Sequence, residues 1–300
     1  MESMNPIRLV TLLGLSAISG FYAEAAGPGF VLFGGGAAKD IVDSVEPAVH
    51  PITAPYYHED SFVTSDVRAW YLHHDVPDNT LGGEIQVVAL QLRLALTERL
   101  QLVAYKDGYT DINVGGTALD GSGWNDIAAG LKYKFLSDWE HNLHAAVGVG
   151  YEFRYGESSV LQNDDELRVW ASINKGFEKW NFGGTVNYLR AVDEGQGTFG
   201  NADMVTWHAH VDYRLCDWFS PVVEVNGYHA VNAGPNVLPF HGIDAVDIGG
   251  GAGQPVYTAA IGFEARPWDR LALRVAYEND ISDNVDLFED RVTISAVLTF

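Results

Sequence analysis

Apolar and polar side chains alternate one by one along most of the chain after Ser61. In 143–155 the positions Leu143, Ala145, Val147, Val149, Tyr151, Phe153 and Tyr155 are apolar, and His144, Ala146, Gly148, Gly150, Glu152 and Arg154 lie between them. A period of two belongs to an extended strand, whose successive side chains point to opposite faces. The same alternation runs through 88–96, 127–135, 167–173, 205–215 and 257–265. Each stretch predicts a strand with one apolar face and one small or polar face.

The connections alternate as well. Short ones fall near 97–99, 137–141, 176–179, 216–218 and 266–270, and long ones near 75–81, 107–123, 156–165, 191–202, 228–254 and 279–289. Five short and six long connections join twelve strands. Short turns at one end and long loops at the other predict an all-β fold over residues 61–300: a transmembrane antiparallel up-and-down β-barrel of about twelve strands with both termini periplasmic, in the bacterial outer membrane. In lipid every backbone N–H and C=O needs a partner, and only a closed sheet has no open edge. A soluble β-sandwich would instead have to bury the apolar faces of all these strands in one core.

Three features extend this picture. Phe135, Trp139, Trp180, Phe182, Trp218, Phe219 and Trp268 gather at the short turns, where an interfacial girdle belongs. Acids such as Asp111, Asp120, Asp164, Asp165, Asp283 and Asp286 crowd the long loops. The chain ends with Val292, Ile294, Ala296, Leu298 and Phe300 in alternation. That ending resembles the C-terminal signal of outer-membrane proteins, which implies the barrel assembly machinery as a partner.

Residues 1–25 read as an export signal, with Arg8 before the apolar stretch 9–18 and small residues at Ala23 and Ala25. Residues 26–60 do not fit the strand scheme and form either an N-terminal extension or a plug. The net charge of −22 excludes a nucleic-acid partner, which needs a basic surface. The single cysteine, Cys216, excludes an internal disulfide.

If the apolar faces meet lipid, the other faces line a lumen. Its candidate residues are Arg93, Lys132, Lys134, Arg154, Arg168, Arg214 and Arg274, with Glu152, Asp212 and Glu264 among the acids. Arg or Lys on the lipid side would cost about 2–4 kcal/mol each at mid-bilayer. The opposite signs either pair across a narrow lumen and block it, or line a wet path whose field selects a small solute. Channel or transporter for passive passage is therefore the first expectation. A structural or adhesive barrel, whose acidic loops meet divalent cations or lipopolysaccharide, is the second.

His208, His210 and Asp212 share one strand face and could ligate a metal, but lumen polarity explains them without one. No serine sits in a nucleophile elbow, so a lipid hydrolase is the weakest expectation. The pattern calls for no catalytic residue, cofactor or metal. The stretch 123–135 is similar to a motif in outer-membrane barrels linked to the meta-pathway of phenol degradation, through Gly123, Asp126, Gly130, Leu131, Lys132 and Tyr133. That resemblance implies transport of hydrophobic or aromatic compounds.

Overall fold

The computed structural model describes residues 30–33, 48–117, 119–161, 164–192, 202–234, 238–245 and 248–300. The expected export signal lies outside them. The described chain forms fourteen strand segments: β1 (Asp66–Asp75), β2 (Glu84–Ala95), β3 (Leu100–Lys106), β4 (Tyr109–Asn113), β5 (Gly121–Trp124), β6 (Ile127–Asp138), β7 (Leu143–Phe153), β8 (Glu166–Phe177), β9 (Trp180–Ala191), β10 (Asp203–Tyr213), β11 (Phe219–Asn232), β12 (Val256–Trp268), β13 (Leu271–Asp280) and β14 (Asp290–Thr299). One 3-10 turn, Ser158–Val160, is the only helical element among the described residues.

All pairings are antiparallel, and β1 pairs with both β2 and β14, which closes the ring. β3 and β4 both pair with β2, so they are two parts of one interrupted strand. Their partners β6 and β5 are likewise two parts of another. The barrel thus has twelve strands. The break has a local cause. Gly108 sits at φ +116°, and a Cβ there would lie 2.4 Å from the Val88 carbonyl oxygen. Only glycine fits so close to the neighbouring backbone.

Side-chain direction follows the sequence pattern. Along β8 buried and exposed residues alternate over all twelve positions, with Arg168, Ser172 and Asn174 inward and Leu167, Val169 and Ile173 outward. Leu90, Val147 and Ile294 are 50%, 44% and 45% exposed, so no dry centre holds them. The outward apolar surface needs lipid, as in any membrane barrel. Phe135, Trp180, Phe182, Trp218 and Trp268 stand exposed at the short-turn end. Trp139 departs from the expected girdle. A register shift at Lys134/Leu136 changes the phase of β6, and Trp139 packs against His144 at 4.4 Å between centroids.

Residues 48–65 occupy the barrel interior as a U. Ala48 and His50 in the descending arm and Phe62 and Thr64 in the ascending arm lie at the short-turn mouth. The apex is a turn at 54–57, where the Tyr57 and His58 N–H groups donate to the Ala54 carbonyl at 2.9 and 2.8 Å. His50 Nδ1 lies 2.5 Å from Asp60 Oδ2 and ties the arms together.

Candidate functional site

The inward face of the strands and the U fit each other group by group. Arg168 of β8 donates from Nη1 to the Tyr56 carbonyl at 2.6 Å and from Nη2 to the Tyr57 carbonyl at 2.7 Å. Its guanidinium stacks 4.6 Å from the Trp170 ring centroid. Glu224 of β11 accepts the N–H groups of Ile52 at 2.9 Å and Thr53 at 2.6 Å. Glu59 pairs with Arg93, and Asp60 Oδ1 lies 3.4 Å from Lys132 Nζ. Thus β2, β6, β8 and β11 each hold the segment. A charge removed from water is tolerated only when paired and hydrogen-bonded, which explains the matching of signs.

Arg93, Lys132, Lys134, Arg168, Arg274, Glu152, Asp212 and Glu264 are buried. Glu152 pairs with Lys106 at 2.5 Å, and Arg274 with Glu264 at 2.7 Å. Asp212 accepts Asn181 Nδ2 at 2.8 Å. Lys134 lies 5.8 Å from the Trp139 ring centroid. Arg154 alone departs from the expectation of lining the lumen, and Arg214 sits at its short-turn mouth. Arg154 is exposed, because β7 ends at Phe153 and the chain leaves the wall there. Arg214 follows the end of β10 and pairs with Asp217 at 2.7 Å in the turn. Asp126, from the motif near 123–135, is a loop anchor. Its Oδ1 accepts the N–H of Tyr155 at 2.7 Å and of Gly156 at 2.6 Å.

His208, His210 and Asp212 do not converge as a metal site. His210 lies between Glu224 at 2.6 Å and Asp212 at 3.0 Å, and His208 bonds Asn226 at 2.8 Å. The His58 ring stacks on His208 with 5.1 Å between centroids. The alternation could not reveal Tyr56, Tyr57, His58, Glu59 and Asp60, since the U has no period of its own.

The two ends of the interior differ. At the long-loop end, Leu72, Ile85, Val87, Leu189, Met204 and Tyr228 from the strands pack with Ala54, Tyr56 and Tyr57 of the U. Phe240, Ile243 and Ile248 of one long loop and Leu287 and Phe288 of another complete this apolar cluster. Arg291 of β14 holds the first loop through Asp244 at 2.7 Å and also pairs with Glu278 at 2.6 Å. In the second loop, burial raises the Asp286 carboxyl to about 6. At the short-turn end a vestibule of about 110 Å³ is lined by Lys179, Arg214, Arg266, Arg270 and Arg274 against Asp212 and Asp269. Phe62, Trp139 and Trp180 add aromatic surface. Five basic side chains line this mouth against two acids, although the chain as a whole is strongly acidic, and three of the five, Arg214, Arg266 and Arg274, pair with Asp217 or Glu264.

A closed antiparallel ring of twelve strands, apolar outside and polar inside, is a bacterial outer-membrane barrel. Among solved structures, it is similar to an outer-membrane channel of Pseudomonas putida F1, with a TM-score of 0.58, 15% identity and coverage of 84% of this chain and 100% of that one. It is also similar to the NanC porin, with a TM-score of 0.51, 12% identity and coverage of 79% and 100%. At these identities the likeness is one of fold. No family model matches the chain, and no curated protein does.

Proposed function

We propose that the protein is an outer-membrane channel for passive passage of small solutes, and that residues 48–65 close it in the conformation described. The observation that carries this reading is the U itself. It is held by side-chain and backbone hydrogen bonds and ion pairs from many strands, it is joined covalently to the wall through the chain at Asp66, and both its arms end at one mouth. The vestibule and the apolar cluster together favour a solute with an anionic group on an apolar or aromatic body. Such a solute agrees with the resemblance to barrels of aromatic degradation. The reading includes no catalytic step.

The rest of the reading rests on the sequence pattern. Residues 1–25 serve export, and both termini face the periplasm. The outward faces meet outer-membrane lipid and lipopolysaccharide. Val292, Ile294, Ala296, Leu298 and Phe300 address the assembly machinery.

Planar-bilayer recording and liposome swelling test the proposal, using benzoate, benzyl alcohol and benzylamine as solutes of similar size and different charge. Discrete openings and preferential entry of benzoate are expected. A correctly folded barrel that stays silent would favour the second reading, a structural barrel, which the filled interior also suits.

A further inference from the structure

The outer surface carries a group of ligand-type side chains that the channel does not use. His73 and Asp75 lie on the outward face of β1 near its long-loop end, and Glu84 faces Asp75 across the β1–β2 pair. One donor atom from each lies within 4.8 Å of the others. His73 Nε2 stands 3.5 Å from Asp75 Oδ1 and 3.6 Å from Glu84 Oε2. All three side chains are partly exposed, at 32%, 41% and 39%. We infer that His73, Asp75 and Glu84 form a zinc-binding site on the outer rim of the barrel.

Spacing and chemistry both support zinc. The two nitrogen–oxygen separations exceed the roughly 2.7–3.2 Å of a good hydrogen bond. They match the edge of a metal tetrahedron, since ligands about 2.1 Å from zinc stand about 3.4 Å apart. Octahedral ligands about 2.1 Å from magnesium stand only about 3.0 Å apart, closer than either of these two separations. One imidazole and two carboxylates are zinc ligands, and three protein ligands leave a fourth position for water or an external donor.

The surrounding charge has the right sign. Asp290 of β14 faces Asp75 on its other side, so Glu84, Asp75 and Asp290 stand on three successive strands. Like charges directly opposite one another destabilise a sheet, and a bound cation removes that repulsion. The site also joins β1 to β2 beside the seam where β1 meets β14 and the barrel closes.

The test is zinc titration of the purified full chain in detergent against a chromophoric chelator, paired with cobalt(II) substitution read in the visible spectrum. One zinc per chain and the intense absorption of tetrahedral cobalt are expected. His73→Ala and Glu84→Gln should each weaken zinc binding by more than the roughly 10–100-fold cost of losing an outer-shell partner. His141→Ala, in the exposed His141–Asp138 pair, should change nothing. Heat-modified gel migration verifies that each variant is a closed barrel. The inference is overturned if wild type takes up no zinc, if His73→Ala retains it, or if cobalt shows only weak octahedral bands.

Discussion

Arg168 and Tyr56 are joined by a hydrogen bond of 2.6 Å from the guanidinium Nη1 to the backbone carbonyl. It links the wall to the apex of the U, and the adjacent Tyr57 carbonyl takes the second nitrogen. Arg168→Met leaves the Tyr56 carbonyl without its donor, at about 1–3 kcal/mol, while the Tyr57 carbonyl keeps Asn187 Nδ2 at 3.0 Å. The occluded state should weaken accordingly. Bilayer recording should show more frequent or larger openings than wild type, in a barrel that still migrates as folded. Unchanged conductance would remove Arg168 from the account of closure.

Charge reversal in the vestibule should alter ion choice without altering closure. Lys179 and Arg270 line the mouth, and neither holds the U. The double change Lys179→Glu and Arg270→Glu turns two cations of the lining into anions. In a salt gradient the reversal potential should move from anion preference toward cation preference, and the shift should shrink at high salt as screening grows. A reversal potential that does not move would place the selective region elsewhere.

Asp286 predicts a pH dependence of the second long loop. Burial is the main cause of its raised value, and Asp280 adds to it, while the Phe288 N–H and the Ser282 hydroxyl act in the opposite direction. A folded value of about 6 against an ordinary 3.8 means that the packed loop favours the protonated acid. Its contribution is fully present below pH 3.8 and is lost as pH rises through about 6. Hydrogen exchange over 281–289 should therefore be slower at pH 5 than at pH 7.5, once corrected for intrinsic rates. Asp286→Asn should flatten that difference.

Ile294 lies near the middle of β14 and faces outward. Ile294→Arg should cost about 2–4 kcal/mol of folding free energy in lipid vesicles, because the charge meets hydrocarbon. Ile281→Arg, just beyond β13, should cost about 0–1 kcal/mol. Urea titration of folding into vesicles measures both. Equal costs would argue that Ile294 is not in contact with lipid.

Most of the barrel was legible because its rule is local. A period of two needs only neighbouring residues, so Arg93, Lys132 and Arg168 could be set inward from their place between apolar neighbours. The rule failed where strands end or slip, at Arg154 and Trp139. The interrupted strands were also hidden, since the break at Gly108 depends on the approach of Val88. The U was the largest loss. Tyr56 and Tyr57 are placed by Arg168, more than a hundred residues away in sequence. No local period marks such a partnership. The rim group of His73, Asp75 and Glu84 was hidden as well, because the register of β1 on β2 is what joins its two sides.

The return of the U to the mouth where it began has a topological consequence. A segment that ran through the barrel would have to be pulled out lengthwise by a free end, or the wall would have to part. This one can back out as a bent loop, like a cork on a short tether, while every rung between neighbouring strands stays intact. Opening then exchanges interior polar contacts for water and withdraws Ala54, Tyr56 and Tyr57 from the apolar cluster, and the tether at Asp66 leaves the loop beside the mouth, ready to re-enter.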